Sequence, residues 1–336
     1  MEWEKCMIGD VLKVGNGKDY KHLAEGDIPV FGTGGYMISV NDFLYEGDSV
    51  FIGRKGTINK PFFYSGKFWT VDTLFYTHSF NKVIPHFVYG LFQRVNWNNY
   101  NEASGVPSLS KSTIEKIPIA IPSIEEQQKI SSLLSLLDQR IETQKKIIEK
   151  YESLIRGLYH SVFNQPASTL QLKDVVSVVK GQQVNGEELL EYGKYYVMNG
   201  GTEPSGYLDV CNTPANIISI SEGGNSCGYV QYNTEPFWSG GHCYSLIQKE
   251  QSVNYQYLYH FMKYKERNIM ALRIGSGLPN VQKKDLERFE IRVLPTKQQN
   301  RVAEILEDVS AKCDLERRIL QGWQCQKSYL LHNLFI

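Results

Sequence analysis

IEEQQKISSLLSLLDQRIETQKKIIEKYESLIRGLYHSVF, residues 124–163, holds no proline and a single glycine. Along it Ile130, Leu134, Leu137, Ile141, Gln144, Ile148, Tyr151, Ile155, Leu158 and Val162 step by four and three without a break. That spacing is the a/d seam of a heptad repeat. It predicts one long helix with a narrow apolar stripe. Such a helix is roughly 60 Å long, too long to bury its stripe on a single compact lobe. Another helix has to cover it.

The same chain supplies a candidate. Val302, Leu306, Val309, Cys313, Glu316, Leu320, Trp323, Lys327, Leu330 and Leu334 follow the same steps, each 172 positions after its counterpart. Polar Gln144 and Glu316 share one place in the two seams, where a polar residue weakens a pair but fixes its register. Further matches run upstream. Ser104-Gly105-Val106-Pro107 answers Ser276-Gly277-Leu278-Pro279, Phe68-Trp69 answers Phe237-Trp238, and Asp10-Val11 answers Asp174-Val175. The offset drifts by eight residues, from 164 to 172, which requires a few small insertions. Two copies are too few for a solenoid. The remaining architecture is a tandem of two large, pseudo-symmetric units.

Each copy opens with a stretch rich in Gly, Tyr and Phe. Short apolar runs at 49–53, 74–77, 216–221 and 243–247 alternate with turn signals such as Phe31-Gly32-Thr33-Gly34-Gly35 and predict strands. Helical patterns fall at 85–94 and 254–265. The expected segments are a globular lobe over 1–123, a long helix over 124–163, a second lobe over 164–296 and a second helix over 297–336. The expected fold class is α+β, with two α/β lobes separated by two long helices paired as an antiparallel coiled coil. Antiparallel pairing would set the lobes at opposite ends, related by an approximate two-fold. That suits a ligand with two separated, inverted sites, of which duplex DNA is the obvious case.

Charge narrows the choice. The chain carries 36 Lys plus Arg against 36 Asp plus Glu, which excludes a binder acting through bulk positive charge. No apolar run is long enough to span a membrane, and the first residues lack a signal-peptide pattern, so the expected compartment is the cytoplasm. The six cysteines include no CxxC pair. Cys211, Cys227 and Cys243 with His242 lack the close ligand pairs of a zinc site, so no metal is expected. Buried free thiols are the expectation.

The duplicated order of lobe, Ser-Gly-x-Pro loop, proline-led helix start and long helix resembles the specificity subunit of type I restriction-modification systems. The residues that carry the likeness are Ser104–Pro107 with Pro122 to Glu126-Gln127, and Ser276–Pro279 with Pro295 to Gln298-Gln299. Ile52-Gly53-Arg54-Lys55-Gly56-Thr57 followed by Phe68-Trp69 is similar to the core of that family's target-recognition domain. So is Ile220-Ser221-Glu222-Gly223-Gly224 followed by Phe237-Trp238. Two departures stand out: Gln298 replaces the glutamate of the Glu-Gln pair, and Glu222-Gly223 stands where Arg54-Lys55 stands in the first copy.

The resemblance implies a non-catalytic DNA reader whose lobes are two target-recognition domains for a split, asymmetric sequence. It implies double-stranded DNA, two methyltransferase (modification) subunits and restriction/translocase subunits as partners. No cofactor is expected in this chain; S-adenosylmethionine, ATP and Mg would sit on the partners. The seam residues Leu134, Leu137, Ile141, Ile148, Tyr151, Ile155, Leu306, Val309, Leu320, Trp323 and Leu330 would form the coiled coil.

The lobes hold 12 basic against 12 acidic residues in 1–123 and 12 against 13 in 164–296, so DNA contacts must come from local groups. In the first lobe these are Arg54, Lys55, Thr57, Asn59, Lys60 and Lys67, expected as one strand-loop cluster, with Ser104. In the second they are Asn225, Ser226, Tyr232, His242, Arg273, Ser276 and Lys283. Arginine can bridge guanine O6 and N7, and asparagine can pair with adenine. For each of them an ordinary solvated or core role is the competing reading. An adenine methyltransferase acting alone is disfavoured: Asn59-Lys60-Pro61-Phe62 lacks the first proline of the base-holding loop, and no GxGxxG strand–helix turn exists. A two-headed coiled-coil scaffold that binds proteins is the alternative function.

The seam makes a prediction. Ile148→Asp with Leu320→Asp would bury two carboxylates without partners and should abolish helix pairing. Unchanged thermal stability and unchanged partner assembly in the double variant would place the seam elsewhere.

Overall fold

A computed structural model describes residues 3–249, 253–275, 277 and 279–335. The chain forms two compact units, 1–145 with 318–336, and 146–317.

Unit 1 contains β1 (Glu4–Met7), α1 (Ile8–Val11), β2 (Lys13–Asn16), β3 (Glu25–Gly32), β4 (Gly35–Val40), β5 (Tyr45–Gly53), β6 (Phe62–Thr70), β7 (Leu74–His78), α2 (Pro85–Arg94), α3 (Lys111–Glu115), β8 (Pro118–Ile121) and the start of α4 (Ile124–Phe163). Its main sheet runs β2-β7-β5-β6-β3-β4, and β1 pairs with β8 in a separate ribbon. Pro85 opens α2 at the first helical turn, where its missing N–H costs nothing. One face of α2 buries Phe87, Val88, Leu91 and Phe92 against Val50, Ile52 and Phe75 of the sheet.

Unit 2 contains β9 (Ser168–Gln171), α5 (Leu172–Val175), β10 (Val176–Lys180), β11 (Tyr195–Met198), β12 (Tyr207–Leu208), β13 (Ile217–Ser221), β14 (Val230–Asn233), β15 (Trp238–Ser239), β16 (Cys243–Gln248), α6 (Tyr255–Tyr264), α7 (Glu266–Met270), α8 (Lys283–Glu287), β17 (Glu290–Val293) and the start of α9 (Thr296–Leu334). The order of unit 1 recurs as β10-β16-β13-β14 and β12-β11-β15, with β17 pairing β9. The six-stranded sheet is here cut in two. The counterpart of β6 is broken between β14 and β15 around Pro236, which has no N–H for the ladder.

Fine details repeat as well. The indole N–H of Trp69 donates to Lys18 O and that of Trp238 to Gln182 O. Asp10 caps Met7 N as Asp174 caps Gln171 N.

Both long helices start on a buried glutamine. Gln127 accepts from Ile84 N (3.0 Å) and donates to Lys82 O and Pro122 O. Gln299 accepts from Asn254 N (2.7 Å) and donates to Leu294 O. The residue before each, Glu126 or Gln298, is not part of this clamp. The Glu126 carboxylate faces Lys129 at 3.8 Å, so the Gln298 departure leaves the clamp intact.

Both helices also end on a buried phenylalanine. Phe163 packs in unit 2 between Tyr257 and Phe261, with ring centroids 5.4 Å from each. Phe335, just past α9, packs in unit 1 against Phe87 at 5.2 Å. Gly90 allows it, since a Cβ there would lie 2.9 Å from Phe335 Cζ and from Leu134 Cδ1.

Between those anchors the helices run antiparallel within each unit. In unit 1 the Lys327 ammonium meets Asp138, and the Arg140 guanidinium lies 5.4 Å from the Trp323 ring centroid. In unit 2 Arg317 donates to Glu152 at 2.8 Å. Leu134, Leu137, Ile141, Gln144 and Ile148 are buried on α4, and Ala303, Leu306 and Cys313 on α9. Tyr151, Ile155, Val309, Glu316, Leu320, Trp323 and Leu330 are half-buried.

The strands expected at 49–53, 74–77, 216–221 and 243–247 lie in β5, β7, β13 and β16. β5 starts earlier, at Tyr45, where Glu46-Gly47-Asp48 obscures the apolar alternation. The cysteine expectation needs correcting: Cys227, Cys243 and Cys313 are buried, but Cys211 and Cys325 are exposed, on a loop and on the outer face of α9. No helix among the described residues is long and apolar enough to cross a membrane.

Two predictions follow from the cores. Phe335→Ala should cost unit 1 about 3–5 kcal/mol, read as a lower urea midpoint; an unchanged midpoint would mean that this ring does not close the core. His260 on α6 is buried, and burial pushes its imidazole down to about 4. An unfolded histidine titrates near 6.5, so the unfolded chain takes the proton first as pH falls. The stabilisation is complete above about pH 6.5 and declines towards pH 4, by roughly 3 kcal/mol in all. In urea titrations at pH 7 and pH 4.5, His260→Gln should lose less stability than the native chain. Equal losses would contradict the burial effect.

Candidate nucleic-acid interface

At the carboxyl end of β5 the chain leaves the sheet as Arg54-Lys55-Gly56. Arg54 N and Lys55 N both donate to Thr73 O, at 2.8 and 3.3 Å. Gly56 N donates to Pro107 O (2.8 Å) and Leu109 N to Arg54 O (2.9 Å). These bonds fasten the Ser-Gly-x-Pro loop to the end of β5. Its base is held by Asn101, whose side-chain oxygen accepts from Ala103 N and Ser108 N.

Unit 2 repeats three of these backbone bonds. Glu222 N donates to His242 O, Gly224 N to Pro279 O (3.0 Å) and Val281 N to Glu222 O (2.8 Å). Gly56 and Gly224 occupy equal places with φ of +90° and +76°. A side chain is strained in that left-handed region, which accounts for glycine at both. The backbone frame is therefore duplicated, while the residues mounted on it differ: Arg54-Lys55 in unit 1, Glu222-Gly223 in unit 2.

In unit 1, Arg54 and Lys55 are exposed at the loop crest, with the Arg54 guanidinium 5.8 Å from the Phe75 ring centroid. Asn59 and Lys60 follow, both exposed, and Thr57 is half-buried. Ser104 is exposed on the facing loop. These residues converge on one end of the sheet. Lys67 does not join them, which corrects the expected single cluster. It pairs across the hairpin with Glu46 and lies 4.9 Å from the Phe43 ring centroid. Glu46 is eight residues from Arg54 along β5, roughly 27 Å at the rise of a strand.

In unit 2, Asn225 is exposed and Ser226 half-buried in the turn after Gly224. Arg273 is exposed beside Ile274, which bridges to Asn280. Lys283 is exposed at the start of α8 and pairs with Glu287 at 3.7 Å, as Lys111 pairs with Glu115 in unit 1. Ser276 lies outside the described residues. Tyr232 belongs elsewhere: on β14 it packs against Tyr255 and Tyr259, and burial raises its hydroxyl pKa.

His242 is exposed and lies beside Glu222. Glu222 is buried, and Oε1 accepts from Lys180 Nζ (2.7 Å) and from the Tyr244 hydroxyl (2.9 Å). Burial, then the Glu222 hydrogen bond, raises the Tyr244 pKa, so the hydroxyl stays a donor. Glu222 Oε2 lies 3.8 Å from His242 Nδ1. Lys180 ends β10, far from this loop in sequence. The signal for it was its place opposite Tyr244 in the ladder, which only the fold reveals.

Fold and loops together define a duplicated α+β protein that presents one loop frame twice with different side chains. The chain belongs to the family of the type I restriction modification DNA specificity domain, whose model matches residues 1–153 and again 165–322. It is 21% identical to the type I restriction enzyme MjaVIII specificity subunit of Methanocaldococcus jannaschii, over 99% of this chain and 92% of that protein. It is 30% identical to a putative type I specificity subunit of Mycoplasma genitalium, over 47% of this chain and 43% of that protein. In that alignment, and in one with a Mycoplasma pneumoniae relative covering 44% of it, the chain spans less than half the relative's length. Its fold is similar to the crystal structure of a type I restriction-modification system S subunit from M. genitalium. The TM-score is 0.82 at 19% identity, covering 100% of this chain and 96% of that one.

Proposed function

We propose that this chain is the DNA-reading subunit of a type I restriction-modification complex, with each unit reading one half of an asymmetric two-part target. The observation that carries this reading is the loop frame. Its backbone hydrogen bonds recur in both units, while Arg54-Lys55 in one is replaced by Glu222-Gly223 in the other. A shared scaffold with unlike donors and acceptors suits two different base sequences. Near-neutral charge suits a reader whose phosphate contacts are partly supplied by partners.

In this reading the chain catalyses nothing. Methyltransferase subunits, two of them to match the duplicated units, carry S-adenosylmethionine and the methyl transfer. Restriction subunits carry ATP and Mg. The paired helices supply a docking surface for the methyltransferase. A protein-binding scaffold is the competing outcome of the test.

The test is selection from randomised duplexes by the full chain, with and without its methyltransferase. With the partner, a two-part motif should be enriched. Exchanging residues 164–296 for another lobe of the family should change one half of it only. No enriched motif would overturn the DNA-reading role, and a change in both halves would overturn independent reading.

A further inference from the structure

We propose that Lys180 and His242 are the base-reading donors of unit 2, taking the acceptor edge of a guanine, and that Glu222 positions Lys180 without touching DNA. This inference rests on the DNA-reading role proposed above. In unit 1 the frame position carries an exposed cation, Arg54. In unit 2 the same position carries a carboxylate that is 9% exposed. It cannot replace an arginine, being buried and of the wrong charge.

What the carboxylate does is hold Lys180. One oxygen binds the Lys180 ammonium and the Tyr244 hydroxyl. The other is sealed from solvent, has no hydrogen-bond partner among the described residues and faces the His242 ring. Lys180 and the neighbouring His242 are not buried: the Lys180 side chain is 54% exposed and that of His242 60%. By strand register their counterparts in unit 1 are Asn16 and Thr73, neither of them a cation. The positive charge has thus moved from the loop crest in unit 1 to a flanking strand in unit 2, with Glu222 as its anchor.

Stability does not explain this arrangement. A pair with an exposed lysine contributes little, and a buried carboxylate oxygen without a hydrogen bond is costly. Access favours a ligand. Among the described residues a Cβ at Gly224 would meet nothing within 4 Å. After its bond to Glu222 the ammonium keeps two N–H groups, and the imidazole supplies a third donor as its Nε2–H tautomer. Guanine O6 and N7 are the major-groove pair that accepts from such a set.

The test uses the full chain co-purified with its methyltransferase subunits and a randomised duplex library. Glu222→Gln, Lys180→Met and His242→Leu should each make the same guanine position in one half-site degenerate, with discrimination falling about tenfold. Arg54→Met should alter only the other half. Unchanged selectivity in the second half-site would overturn the inference. Uniform weakening across all sequences with a shallower salt dependence would overturn it too, since that marks a phosphate contact. A native complex that enriches no two-part motif refutes the DNA-reading role instead. Should Glu222→Gln not fold, Lys180→Met and His242→Leu, both at exposed side chains, decide the matter.

Discussion

The closure of each core by an aromatic ring from the far end of a long helix is the constraint on which the rest depends. By sequence, Phe163 ends the first repeat and Phe335 the second. By packing, Phe163 belongs to unit 2 and Phe335 to unit 1. Each helix is pinned at its start by a buried glutamine in one unit and at its end by a buried ring in the other. A glutamine with its amide satisfied at both ends tolerates no rotation of the helix start. Within each unit the two helices run antiparallel, with the Lys327–Asp138 pair in unit 1 and the Arg317–Glu152 pair in unit 2.

The duplicated lobes show how a frame can be kept while its chemistry diverges. Backbone groups do the framing: a carbonyl from the turn before β7 or β16, a proline carbonyl from the opposing loop, and a left-handed glycine between them. None of these depends on the side chain at position 54 or 222. That position is free to change from arginine to glutamate, provided the new charge is compensated. In unit 2 the compensation comes from Lys180 on the neighbouring strand.

Much of this was legible in the residues. The heptad steps and the 172-residue offset pointed to two long helices and two like lobes, because an a/d stripe and a duplication are both written locally. The strand cores at 49–53 and 243–247 were legible for the same reason. The start of β5 was not, since Gly47 and Asp48 interrupt the pattern while the ladder to β6 continues. Lys67 was grouped with Arg54 by closeness in sequence, although a hairpin sends those residues to opposite ends of two strands. Tyr232 pairs with Ile218 on β13 and packs against Tyr255 and Tyr259, a placement that its sequence neighbours do not reveal. Lys180 was invisible as a site residue because its role comes from a neighbour 42 positions away.

The shared helices also bear on the order in which the protein can mature. Unit 2 is one uninterrupted stretch, whereas unit 1 is assembled from both ends of the chain. As the polypeptide emerges from the ribosome, residues 146–317 are complete before the segment bearing Leu330, Leu331 and Phe335 exists. The lobe made first is therefore finished last, and its apolar face stays open throughout synthesis of everything between.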